Sequence, residues 1–206
     1  MPQTLVEKIA QRYAVGLPDG AEVRVGDYLS IRPAHVMTHD NTAAVMQKFR
    51  AIGAKSIHDS RQPVFALDHD IQNTSQENLS KYQSIKDFAS EHGVNFYPAG
   101  TGIGHQVMVS MGYVLPGSLV VASDSHANMY GALGALGTPV VRTYAAAVWA
   151  TGEFWWQIPR TVQVRLEGEL QRGATGKDVI ITLCGLYNHG EVLNAVVEFT
   201  GPGLAS

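Results

Sequence analysis

SLVVASDSH, residues 118–126, and PVFALDHD, residues 63–70, are two short apolar runs that each end in acids and histidine. A run of this length that is apolar on both faces fits a strand buried in a mostly parallel sheet. In open α/β sheets, ligand sites gather at the carboxyl ends of the strands, and Asp68, His69, Asp124, Ser125 and His126 all fall there. Packing gives a buried strand no use for adjacent ionisable groups. Asp124 and His126 are two apart and face the same way on an extended chain. Asp68 can orient a neighbouring imidazole or raise its pKa, making it a proton donor near neutral pH.

Helical patterns surround these two strands. Thr4 and Glu7 form a capping box ahead of LVEKIAQRYA, where Leu5, Ile9 and Tyr13 recur at helical spacing and Gly16 stops the run. VRVGDYLSIRPAH reads as short strands joined by a turn at Gly26–Asp27. Asn41 or Thr42 caps a second helix in which Val45, Phe49 and Ile52 share a face. Ser75 opens a longer helix to His92, with Leu79, Tyr82, Ile85, Phe88 and Ala89 as its buried stripe and Gly93 as its cap. NFYPAG reads as a strand, GTGIGHQ as a Gly-rich turn, and VMVSMG as a short helix. GALGALG (131–137) reads as a turn or helix where backbones approach closely. AAAVWATG is helical, TVQVRLEGEL (161–170) an alternating strand, KDVIITLCGLY a helix and VVEFTG a strand. Strands interleaved with helices predict an α/β fold, with helices flanking a mixed or mostly parallel sheet in one domain over 1–206.

Further candidate groups lie outside the two strand ends. His105 follows Gly102 and Gly104, which let the backbone turn sharply and approach a ligand closely. His35 and His39 follow the early strand, with Asp40 beside them. His58, His92 and His189 sit in loop or helix-end contexts and read as surface or capping residues. The set as a whole points to proton transfer or metal-assisted catalysis on a small polar substrate.

Composition narrows the classes. The 206 residues are 45% hydrophobic with a formal net charge of −3. The basic residues are scattered, so no footprint for nucleic acid is expected. No stretch approaches the ~20 apolar residues of a membrane span. The N-terminus has no apolar signal core and is not Arg- and Ser-rich, so an intracellular protein is expected, in the cytoplasm or mitochondrial matrix. One cysteine, Cys184, excludes an intramolecular disulfide; its apolar helical setting reads as a buried core thiol.

In order along the chain, KIAQRYAVGLP, PAHVMTHDN, LDHDIQN, YPAGTGIGHQ, VASDSHANMYGALGALGTPVVRT, WATGEFWWQIP and LCGLYNHGEVLNAVVEFTG resemble the N-terminal part of the fungal-type homoaconitases of the aconitase superfamily. The likeness runs over essentially the whole chain. It implies the first of three α/β domains arranged around a [4Fe–4S] cluster, with a fourth, mobile domain closing the site. The implied reaction converts homocitrate to homoisocitrate through homoaconitate in lysine biosynthesis. Carried over by motif, Asp68 and His69 are the pair that protonates the departing hydroxyl. His105, Asp124 and His126 form the polar cage around the iron-bound water, and Ser125 supports their loop. His39 or Asp40 contacts a substrate carboxylate.

There are departures from the family pattern. Three thiolates are needed for the cluster and Cys184 is one, so no cluster is expected on this chain alone. The serine base and substrate arginines of the later domains are not here. Tyr144 stands where Asp is expected and Met129 where Thr is expected, which places Tyr144 among the substrate-binding candidates. Three readings follow: a homoaconitase-like hydro-lyase domain acting on a small polycarboxylate, a stand-alone cluster-free lyase, isomerase or cyclase of secondary metabolism, and an inactive partner-binding paralogue. On the second, His105, Asp124 and His126 could hold one divalent metal. WWQIP (155–159) offers an aromatic surface for a homo-oligomer or for a partner supplying the missing domains.

Overall fold

The computed structural model describes residues 2–205. In chain order the elements are α1 (Leu5–Tyr13), β1 (Ala14–Val15), β2 (Tyr28–Ile31), β3 (His35–Thr38), α2 (Thr42–Ala51), β4 (Pro63–Ala66), α3 (Gln76–His92), β5 (Asn95–Tyr97), α4 (Gly104–Ser110), β6 (Leu119–Ala122), a 3₁₀ helix (Ala127–Leu133), β7 (Leu136–Pro139), α5 (Arg142–Thr151), β8 (Phe154–Gln157), β9 (Arg160–Arg165), α6 (Gly176–Leu186), β10 (Ala195–Thr200) and a second 3₁₀ turn (Pro202–Ala205). Five strands form a wholly parallel sheet in the order β5-β4-β3-β6-β7. Beside it lie an antiparallel sheet, β1-β2-β8, and a parallel pair, β9 and β10. The α/β class read from the sequence is the class observed.

β4 and β6 are buried at every position, which explains their unbroken apolar sequence. Period-two alternation divides their side chains between two cores. Val36, Phe65, Leu67 and Val121 enter a larger core with α1, α2, α3 and α5. There Phe49, Phe65, Phe88 and Trp149 pack as an aromatic group, Phe65 and Trp149 lying 4.9 Å apart between centroids. Met37, Val64, Val120 and Ala122 point the other way, onto Met108 of α4 and Tyr130 of the 3₁₀ helix.

Local expectations fared unevenly. The Thr4–Glu7 capping box is complete, at 3.2 and 2.7 Å. Residues 23–25, expected as strand, are irregular. Glu7 accepts from the Val25 amide at 2.9 Å and Asp27 from the Arg24 amide at 2.7 Å, so side chains take donors a ladder would have used. The capping helix turns Val6, Ile9 and Ala10 inward while Leu5 is exposed. Leu79 and Ile52, expected in buried stripes, are also exposed, and their helices bury Asn78 and Met46 instead.

The central strand of the sheet, β3, was not separated from the early strand run. It is four residues long, follows Pro33 and carries His35 and Met37, so it lacks the β-branched run that marks β6. α4 begins at Gly104, earlier than expected, which makes His105 helical. The 131–137 tract divides between the 3₁₀ helix and β7. A Cβ on Gly137 would lie 2.1 Å from the Ala127 carbonyl oxygen, the close approach its glycines imply. Cys184 is a correction: it is exposed, because α6 has no buried residue among Gly176–Leu186.

Candidate active site

The sheet begins at its middle. β4 and β5 extend from β3 to one side, and β6 and β7 extend to the other. Connections leaving adjacent strands in opposite directions open a crevice at their carboxyl ends. Asn41 spans it, donating from Nδ2 to the Ser123 carbonyl at 2.6 Å. His39 and Asp40 follow β3, Asp68 to Asp70 follow β4, and Asp124 to His126 follow β6. His105 reaches the same place from the first turn of α4. Gly104 permits that approach, since a Cβ there would lie 3.0 Å from Asp68 Oδ2.

Asp124 is the hub. Its Oδ1 accepts from the His126 amide at 2.7 Å, and it lies 2.7 Å from His105 Nε2 and 3.2 Å from His126 Nδ1. Its Oδ2 lies 3.6 Å from His69 Nε2 and 3.8 Å from His39 Nε2. Burial opposes its charge, but the His126 amide and the His105 ring outweigh burial and hold the carboxyl well below the usual range. A carboxylate only accepts, so His105 donates from Nε2, while its Nδ1 lies 2.8 Å from Tyr130 Oη. Burial pushes the Tyr130 pKa up, which keeps the hydroxyl a donor.

The Asp68–His69 pair is equally directed. Asp68 Oδ2 accepts from the Gly104 amide at 2.5 Å, and Asp68 Oδ1 lies 2.5 Å from His69 Nδ1. Burial of the His69 ring works against protonation. The Asp68 hydrogen bond and charge, with Asp124 and Asp40 behind, outweigh it and raise the pKa. His39 stacks on this ring at 3.8 Å between centroids, tilted 21°. Its pKa is lowered, first by burial and then by the charge of His69. His39 Nδ1 is buried with no hydrogen-bond partner among the described residues. Two stacked imidazoles are thus driven apart in proton affinity, one toward an acid and one toward a neutral acceptor.

Asp68, His69, His105, Asp124 and His126 line a pocket of about 320 Å³, rimmed by exposed Ile103 and Met129. Ser125 is exposed, with Oγ 3.4 Å from His126 Nδ1, and is not among the residues lining the pocket. Asp40 lies behind the pocket, its carboxylate turned to the 68–70 backbone. Tyr144 is not brought to this place. It lies on α5 with its ring 6.1 Å from Phe154, lining a separate depression with Ser30 and Trp155. The sequence reading missed Tyr130, Tyr82 and Gln106, because nothing in the spacing of a lone Tyr or Gln marks a long-range partner. His35 stays at the opposite end of β3, against Tyr113 and the Arg61 carbonyl.

Two groups have donor atoms close enough to share a metal ion: His105, Asp124 and His126, and His39, Asp40, Asp68 and His69. Imidazole and carboxylate donors suit zinc, iron or manganese. Iron–sulfur clusters are held chiefly by cysteine thiolates. Cys184 is exposed on α6 and does not line the pocket, so the residues of this chain do not fit as ligands of the cluster. Among the described residues no helix is long and apolar enough to cross a membrane.

Comparison with known proteins bears on the same residues. The model of the "Aconitase family (aconitate hydratase)" matches residues 7–206. The chain is 63% identical over 203 residues to "Homoaconitase, mitochondrial" of Cryptococcus neoformans var. neoformans serotype D, covering 98% of this chain and 28% of that protein. It is 61% identical over 204 residues to the protein of the same name from Yarrowia lipolytica, covering 99% and 30%. For Kluyveromyces lactis the identity is 58% over 202 residues, covering 98% and 29%. The chain therefore spans less than a third of the length of these relatives.

Proposed function

The chain belongs to the aconitase family, and from that membership we propose that it forms an acid–base face of a homoaconitase-type hydro-lyase. The substrate class is a small hydroxy-polycarboxylate of the homocitrate and homoisocitrate kind. The observation that carries this reading is the stacked His39–His69 pair, with its opposed proton affinities, above the Asp124 hub. Elimination of water needs a proton delivered to the departing hydroxyl. His69 holds one on Nδ1 against Asp68 and presents Nε2 toward the pocket, so the protonated ring is the donor. Asp68 stabilises the imidazolium before transfer, and in the hydration direction the same ring takes the proton back.

His105 and His126, fixed on Asp124, form the polar floor that orients the hydroxyl, while Ile103 and Met129 face the methylene part of the substrate. The base for the carbon-bound proton and the cluster's thiolates belong, on this reading, to the remaining length of the enzyme, which is the partner of this face. The mitochondrial names of the relatives make the matrix the proposed compartment.

The test is a chimera in which this segment replaces the matching 204 residues of the Yarrowia lipolytica relative. It is expected to dehydrate homocitrate, with His69→Gln lowering kcat by about 10²–10⁴-fold and leaving KM nearly unchanged. A chimera that folds and holds its cluster yet leaves homocitrate untouched would sink the reading.

A further inference from the structure

We infer that Asp40 and Tyr82 are a positioning pair that aims the Asp68–His69 acid, and that Asp40 makes no substrate contact. The inference rests on the acid–base reading above. Asp40 Oδ2 accepts from the Asp68 amide at 2.9 Å and the His69 amide at 2.8 Å. Oδ1 accepts from the Asp70 amide at 3.2 Å and from the Tyr82 hydroxyl. An ionised carboxylate offers about four lone-pair sites, and four donors fill them. A substrate carboxylate would also meet a like charge here.

Three successive amides converging on one anion make a backbone nest, closed in this case by the chain's own side chain. Burial opposes the charge of Asp40, but the Tyr82 hydroxyl and the three amides outweigh it and hold the carboxyl below its usual range. On the other side, burial and then Asp40 push the Tyr82 pKa up to about 12, so its hydroxyl stays a donor.

The geometry explains what the clamp does. Fixing the backbone at 68–70 fixes the directions in which Asp68 and His69 leave it. Asp68 is sent toward the Gly104 amide and His69 Nδ1, and His69 Nε2 toward Asp124. Asp40 leaves the end of β3 and Tyr82 comes from the second turn of α3, so the turn is held from two elements. Asn78, also on α3, completes the hold by donating to the Asp70 and Asn73 carbonyls at 3.1 and 2.8 Å. A reacting group displaced by about 1 Å can lose on the order of 10²-fold in rate, so such a support acts on kcat.

Tyr82→Phe keeps the ring and removes one donor; Asp40→Asn keeps the shape and replaces an acceptor with an NH₂ that confronts amide donors. In the 206-residue chain, labelled-histidine NMR is expected to show His69 resonances shifted in Tyr82→Phe, with those of His105 and His126 in place. In the chimera, the same variant is expected to lower kcat about 10-fold or more at unchanged KM. A rise in KM at unchanged kcat would return Asp40 to substrate binding and overturn the inference. Unmoved His69 resonances in folded Tyr82→Phe would overturn it as well. Should Asp40→Asn not fold, Tyr82→Phe still decides. If the unmutated chimera folds and holds its cluster yet has no turnover, the functional reading fails while the NMR arm still judges the clamp.

Discussion

Asp124 serves four imidazoles with two oxygens, and His105 and the His126 amide depend on it most directly. Asp124→Ala leaves the part-buried His105 Nε2–H and that amide without their acceptor. Stability is expected to fall by about 1–3 kcal/mol, read by urea denaturation. The stacked pair predicts a pH dependence with opposite signs on its two sides. The folded-state pKa of His39 is lowered, so below an ordinary value of about 6.5 the unfolded chain takes the proton first and stability falls as pH drops. Half-buried His35, whose pKa is also lowered by burial, adds to that acid-side loss. The folded-state pKa of His69 is raised, so its contribution is full below about 6.5 and is lost as pH rises through the folded value. In urea titrations across this range, His39→Gln should flatten the acid limb and Asp68→Asn the alkaline limb. An unchanged acid limb in His39→Gln would show that burial does not set the proton affinity of that ring. The clustering of Asp and His at two strand ends was legible in the sequence. The resemblance also grouped His105 with Asp124 and His126, as the structure has them, whereas the joining of Asp40 to residues 68–70 was not legible, because it depends on contacts between distant segments.

At the scale of elements, the interior is least tolerant where backbone meets backbone. Gly137 in β7 faces the Ala127 carbonyl so closely that Gly137→Ala must move the 3₁₀ helix or the strand. A loss of about 1–3 kcal/mol is expected by chemical denaturation. Gly131→Ala, with nothing within 4 Å of the added carbon, should change stability by no more than about 0.5 kcal/mol. Equal effects would mean the close approach carries no strain. Thr4→Ala removes half of the capping box and is expected to cost about 1 kcal/mol. Elements with strong local signals were readable: the capped α1, α3 between Ser75 and Gly93, and the unbroken apolar β4 and β6. β3 was not, since a four-residue strand after a proline, half polar in sequence, is buried only because its neighbours lie on both sides. The same limit misplaced Leu79 and Ile52, for helical spacing gives a face but not which edge of it meets the sheet.

Over the whole molecule, burial is uneven. The parallel sheet holds both cores, whereas α6 exposes Ile180, Ile181 and Leu186. An apolar surface of this kind favours association. Sedimentation velocity of the chain is expected to show concentration-dependent self-association that Ile181→Lys with Leu186→Lys suppresses. A monomer at all concentrations would refute this. The order of the sheet also carries a temporal meaning. β3, β4 and β5 are contiguous in sequence and adjacent in space, while β6 pairs with β3 only after residues 98–118 have been made. During synthesis from the N-terminus, the half that brings Asp40 to residues 68–70 is available to assemble first. Asp124 then arrives with the slower, long-range pairing. The Asp68–His69 pair is in this sense built before the pocket it lines.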